Sequence, residues 1–354
     1  MNDFSGAVLT LALKICVAVG LYDLAVVSAA TKASALNVLA AAKAQSFDVA
    51  GHLLTALTVP EHLAAGWASI EHLGGGTGIL LDCASDEASV RAAFLGGKGA
   101  PPAPVAEAGI FVVNPNAWKL LDAPFLKQVK DTYNDDKCLD IARQMAAAGI
   151  WHVPTLIRSK TMAMSDAAVF RTDPNLQYIN PTIRALWESL AVRFTTDVRN
   201  VSADAATAFE QFYAAQRSLV RVLKQTGAKL VTGSDLGGIW VLPGLGLHAE
   251  FGELAAAGLT PLEILQATTL NGAKFLKREA TMGTVAVGKN ADLVVLDANP
   301  IADVANLNKI AAVILKGKLY AKSDLDKLKS DVAALNSRAT VQNFSTVVDN
   351  SHTH

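Results

Sequence analysis

The chain has 354 residues, 51% of them hydrophobic, a formal charge of -1 and three cysteines. That length and apolar content can fill the core of one large domain or two smaller ones. Near-zero charge without a dense Lys/Arg run excludes nucleic acid and an anionic membrane surface as main partners, and the odd, scattered set Cys16, Cys83 and Cys138 reads as reduced thiols.

The first thirty residues are apolar, but Asp3 stands where a signal peptide has its basic leader. Lys14 and Asp23 break the run before about 18 uncharged residues accumulate, so no membrane span is expected. A cleavage-like SAATKASA follows, which leaves export open; the expected location is the cytoplasm. Residues 7–19 (AVLTLALKICVAV) suit a buried strand, and Cys16 and Cys83 read as core residues. Residues 31–45 favour a helix, with Leu36, Leu39 and Ala40 along one face.

The strand FDVAGH then ends at His52. VPEHLAAG is a short helix with Pro60 at its start and Gly66 past its end, and the strand ASIEHL brings His72 twenty residues after His52. GGGTG at 74–78 lacks the GxxxxGK(S/T) pattern of a phosphate loop, so it reads as a flexible strand-to-helix connection. DEASVRAAFLGG (86–97) is a capped helix, GKGAPPAPVAEAG an exposed excursion, and 116–148 helical again. In IWHVPTL, Pro154 belongs at the loop end of a strand, and His152 reads as an outward-facing or satisfied histidine. Residues 157–200 form a helical insertion, and 202–225 carry the apolar stripe of a helix ended by Gly227. LVTGSD is a strand ending in Asp235. GGIWVLPGLGLHAEF reads as a glycine-rich loop that delivers His248 and Glu250. Thr260, Pro261 and Glu263 make a capping box opening a helix through Leu276. From Met282, turn glycines and β-branched runs predict a small β unit, and a charged helix follows Ala321.

His52, His72 and Asp235 each close a short apolar run of the kind that forms a buried parallel strand. In a barrel of parallel strands the carboxyl ends open onto one face, where side chains from different strands meet. Two imidazoles and a carboxylate there suit a catalytic zinc site, which uses about three protein ligands and leaves a place for water.

The run VAGHL, SIEHL, VPTL, TGSD, LHAEF, AGLTPLEILQATTLNGAKFL and MGTVAVGKNADLVVLDANP resembles the amidohydrolase superfamily, in its imidazolonepropionase-like and prolidase-like branch. The likeness runs from about residue 35 to 335 and is most specific from Thr260 to Pro300. It implies a (β/α)8 TIM-like barrel with a small β-sandwich and a one- or two-metal centre, most simply zinc. It assigns His52 and His72 as metal ligands, and Asp235 as both a ligand and the base for the metal-bound water. His248 would bind or orient substrate, and Lys14 in LKIC is the candidate bridging lysine. Two features depart from the pattern: no HxH pair stands near the N-terminus, and only about five barrel-strand signals are present. The barrel is therefore expected to be incomplete at its N-terminal end. The terminal His352-Thr353-His354 looks like the HxH motif at the wrong end of the chain.

These readings predict a barrel over 1–280 with a helical insertion at 157–200, part of a β-sandwich over 281–320, and a helix and tail over 321–354. The expected function is a metal-dependent amidohydrolase that cleaves an amide, dipeptide or lactam-like C–N bond with metal-activated water. The alternative is a truncated, non-catalytic homologue serving as a binding or assembly module. The expected partner is a small molecule or dipeptide rather than nucleic acid or membrane, and an open sheet edge would favour a homo-oligomer.

Overall fold

The computed structural model describes residues 24–27, 32–101 and 107–341. The expected strand at 7–19, with Lys14 and Cys16, and the terminal His352-Thr353-His354 lie outside the described residues. Five strands form one parallel sheet, β1 (Leu24–Val27), β2 (Asp48–Gly51), β3 (Trp67–Glu71), β4 (Trp151–Val153) and β5 (Lys229–Leu230), in the order 1-2-3-4-5. Right-handed crossovers between strands laid down in sequence order put the connecting helices on one face. The order never reverses as it does in a doubly wound sheet. The strand order is the sequential one expected for a (β/α) barrel, with five parallel strands among the described residues.

The connecting helices are bounded by local chemistry. α1 (Lys32–Ala44) precedes β2, and α2 (Val59–Ala65) joins β2 to β3. In α2, Thr58 and Glu61 form a reciprocal capping box, Pro60 occupies the first turn and Gly66 ends the helix at φ 90°. α3 (Gly78–Cys83), α4 (Glu87–Leu95), α5 (Ala123–Asp131) and α6 (Asp135–Ala148) lead to β4. Asp86 makes no side-chain cap on α4; its Oδ2 accepts from Gln128 Nε2 instead. α7 (Leu156–Ala163), α8 (Pro181–Phe194) and α9 (Ala203–Gln225) follow β4.

Beyond β5 the expected glycine-rich loop is shorter than its sequence suggests. α10 (Leu245–Ala256) begins directly after Gly244, and both His248 and Glu250 sit on it. The Thr260–Glu263 capping box is present, but the expected single helix divides at Thr269 into α11 (Pro261–Thr268) and α12 (Leu270–Phe275). β6 (Leu293–Leu296), β7 (Ile310–Leu315) and β8 (Lys318–Ala321) then form an antiparallel sheet in the order 6-7-8, and α13 (Lys322–Arg338) follows.

Contacts divide the chain into two compact units, residues 1–99, 124–156 and 211–233, and residues 100–123, 157–210 and 234–354. In the first unit Ile70, His152 and Leu230 lie side by side across β3, β4 and β5, all buried. Cys83 and Cys138 are fully buried there and form a disulfide between α3 and α6, overturning the expectation of free thiols at those positions. In the second unit Trp187 and Trp240 pack 5.5 Å apart in a core with Leu190 and Ile239. The insertion at 157–200 therefore supplies much of that unit's interior. No helix among the described residues is long and apolar enough to cross a membrane.

Candidate functional site

The carboxyl ends of β2 and β3 carry the two imidazoles. Parallel pairing sets Gly51 beside Ile70, so His52 and His72 leave adjacent strands one and two residues beyond that pair. Their ring centroids lie 4.9 Å apart at an interplanar angle of 78°. His72 adopts φ 54° and Leu73 φ 55°, a left-handed conformation that costs a non-glycine residue about 1–3 kcal/mol and collects at functional sites. His72 Nδ1 is 2.7 Å from Thr155 Oγ1, just past β4. A second-layer hydroxyl of this kind fixes the orientation of a metal-binding imidazole.

The run GGGTG has a specific use here. Gly75 stands at φ 65°, and a Cβ on it would lie 2.9 Å from His52 Nδ1. Only glycine lets the backbone take that turn while lying against the imidazole. Gly75 N donates to His72 O at 3.1 Å, and Leu53 N donates to Gly74 O at 2.9 Å. The connection expected to be flexible thus joins the two histidine loops.

Asp235 belongs to the second unit, at φ 50°. Its Oδ2 accepts from Arg158 Nε at 3.1 Å, with Arg158 almost wholly buried and Asp235 about one-third exposed. The Arg158 guanidinium also donates to Val113 O at 2.6 Å and to Val112 O. Burial pulls the Arg158 pKa down, and the Asp235 carboxylate opposes that shift. Gly238 has no Cβ because Arg158 Nη1 would lie 2.1 Å from it. Glu250 is buried, and its Oε2 accepts from Ile157 N at 2.7 Å at the start of α7. Glu253 holds Lys160 of α7 at 2.7 Å, so α10 fixes the helix that carries Arg158.

His248 packs against Phe251 with ring centroids 5.3 Å apart, and its buried Nδ1 has no hydrogen-bond partner among the described residues. Burial, and then the charge of Lys329, lower its pKa. His152 is fully buried, neither ring nitrogen has a partner, and burial brings its pKa to about 4. The expectation of an outward-facing or satisfied histidine is overturned: the ring is buried in the sheet and unsatisfied.

Among the described residues no group of three or more His, Cys, Asp or Glu side chains is gathered to hold a metal ion. What the first unit does bring together is the imidazole pair. With N–metal bonds of about 2.0–2.1 Å, rings this close can each present one nitrogen to a shared ion. The donor chemistry of that pair, two imidazoles, suits a divalent cation. Sequence reading missed Thr155, Gly75 and Arg158. The glycine run and the polar break after Pro154 were visible signals for the first two, whereas Arg158 looked like any basic residue on a helix.

A parallel sheet laid down in strand order, with an imidazole pair at its carboxyl ends, defines an α/β protein. The amidohydrolase family model matches residues 123–320, more than half of the chain. The chain belongs to the amidohydrolase family. The imidazolonepropionase of Treponema denticola is 40% identical over 67 residues, 18% of this chain and 16% of that protein. The imidazolonepropionase of Fusobacterium nucleatum is 36% identical over 75 residues, 20% of this chain and 18% of that one. Bottromycin amidohydrolase superposes with a TM-score of 0.61 at 21% identity, over 94% of this chain and 62% of that chain. Ochratoxinase of A. niger gives 0.51 at 14% identity, over 88% and 54%. These two structures share the fold, and the chain spans less than two-thirds of either.

Proposed function

We propose that the chain is a hydrolase that uses a divalent metal, zinc by preference, to break an amide-type C–N bond in a small molecule or dipeptide. The observation that carries this reading is the adjacent imidazole pair at the ends of β2 and β3, with Gly75 against one ring and Thr155 bonded to the other. A bound divalent ion supplies a Lewis acid and lowers the pKa of water from about 15.7 towards 7. His52 and His72 would hold it as neutral imidazoles. Thr155 orients His72 by accepting the Nδ1 proton, which turns Nε2 into the ligating atom.

Asp235 is the carboxylate assigned to take the proton from attacking water and return it to the leaving nitrogen. Arg158 holds that carboxylate at one oxygen, which fixes its direction. His248 is assigned to the substrate's carbonyl or carboxylate, with the neutral ring favoured by burial.

Metal content tests this. Chelator-washed protein reloaded with zinc should hold a stoichiometric amount, and His72→Ala and Asp235→Asn should each lose at least half of it. Asn at 235 keeps an acceptor for Arg158, so a loss there reports charge rather than a broken fold. Zinc that is absent, or indifferent to both substitutions, would sink the proposal. A panel of dipeptides, lactams and esters then tests the bond cleaved.

A further inference from the structure

The segment between His52 and α2 is gripped from outside by two buried side chains, His62 and Asp82, and the mostly buried Arg91, none of which the chemistry above uses. Leu54 N donates to His62 Nε2 at 2.9 Å, and the other nitrogen of that ring bonds Thr58 O at 2.8 Å. Arg91, on α4, donates through Nη1 to Thr55 O and to Leu57 O at 2.8 Å, two carbonyls two residues apart. Its Nη2 reaches Asp82 Oδ2 at 3.1 Å and Glu87 Oε1 at 2.9 Å. Asp82 Oδ1 accepts from Val59 N at 2.8 Å. The Arg91 and Asp82 side chains are only 12% and 6% exposed.

A charged pair placed this deep is a poor source of stability, because desolvation offsets most of its attraction. What it supplies is direction. The guanidinium fork binds two carbonyls and two carboxylates at once, in directions that the point charge of a lysine does not fix. Residues 53–59 therefore have their polar backbone groups tied to α2, α3 and α4. The same segment begins at His52, and its first amide, Leu53 N, bonds Gly74 O next to the Gly75 that lies on the His52 ring.

We propose that Arg91, held by Asp82, is a positioning residue for His52, setting the distance between the His52 and His72 rings through the rigid segment 53–59. The inference rests on the reading of His52 as a metal ligand only for its consequence, zinc affinity. The ring geometry itself can be tested without metal.

The experiment uses the full chain with 13C-labelled histidine, comparing wild type, Arg91→Met, Arg91→Lys and Val90→Ala. Val90 is a buried neighbour on α4, so its truncation destabilises the helix without touching the clamp. In metal-free protein the NOE between the His52 and His72 rings should be strong in wild type and Val90→Ala and lost in both Arg91 variants. Amides of 53–59 should exchange at least tenfold faster in the Arg91 variants while those of β3 keep their rates. Zinc affinity should fall about 10–100-fold, the range seen when an outer-layer partner of a metal ligand is removed. An NOE that survives in Arg91→Met, or one lost equally in Val90→Ala, overturns the proposal. If the NOE is lost as expected but His52→Ala binds zinc like wild type, the positioning role stands and the metal assignment of His52 falls.

Discussion

At the scale of single residues, burial and partners separate histidines that look alike in sequence. His62 is fully buried, with both ring nitrogens bonded to backbone; His152 is equally buried on β4, with neither nitrogen bonded. The consequence is acid sensitivity. Unfolded, His152 titrates near its ordinary 6.5, while burial holds the folded group down to about 4. Between those values the unfolded chain binds one more proton than the folded one, so stability is complete above pH 6.5 and falls as pH drops towards 4. The full loss from this one ring is about 3 kcal/mol at 1.36 kcal/mol per unit. His62, lowered chiefly by burial, acts in the same direction. His152→Leu, which removes the titrating ring from an apolar face, should flatten the slope of urea-unfolding free energy between pH 6.5 and 4. An unchanged slope in that variant would show that another group carries the acid response. The same contrast separates what sequence could supply from what it could not. His52 and His72 stood out because an apolar run breaks to a polar residue at each strand end. Arg158 and Arg91 did not, since a guanidinium that points inward has the same one-letter neighbours as one that points to solvent.

Between elements, the legible features were those with a local cause. α2 announces itself through Pro60 at its start and Gly66 past its end, and α11 through the Thr260–Glu263 box; both starts form as read, although the second helix stops at Thr268. α10 was hidden by the glycines before it, because Gly244 ends an irregular stretch and Leu245 already starts the helix. The α3–α6 disulfide was not legible, since pairing depends on two cysteines 55 residues apart meeting in space. The seam around it is stitched by backbone as well: Asn134 N donates to Cys83 O at 3.0 Å, Ser85 N to Thr132 O at 2.8 Å, and Lys137 Nζ to Ala84 O at 2.8 Å. Closing a loop of that length removes unfolded-chain entropy worth about 2–4 kcal/mol. Protein unfolded under non-reducing conditions should therefore show one alkylatable thiol, and Cys83→Ala/Cys138→Ala should lose about that much unfolding free energy in urea titrations. Three reactive thiols in the denatured, unreduced chain would exclude the bond.

Across the whole molecule, patterning identified a parallel barrel-type sheet followed by a small antiparallel one. What patterning could not tell was how much apolar surface each would leave uncovered. The parallel sheet reads correctly because its buried-face residues Ile70, His152 and Leu230 fall in register. The C-terminal sheet breaks the usual rule that an antiparallel sheet buries one face and wets the other. Register places Val294, Val313 and Tyr320 on one face and Leu293, Ile314 and Leu319 on the other. Not one residue of β6, β7 or β8 is buried, and Val294 and Leu319 are 58% and 59% exposed, one on each face. If both faces meet water in solution as they do in the structure, Val294→Thr and Leu319→Thr should each change unfolding free energy by no more than about 0.5 kcal/mol, as for ordinary surface positions. The urea midpoint should also be the same at micromolar and at hundredfold higher protein concentration. Covering either face with further chain or a second copy would bury that side chain, and its replacement would then cost about 1.5–3 kcal/mol. A cost of that size confined to one position would identify the covered face. If it appeared only at the higher concentration, the cover would be another molecule of the same chain.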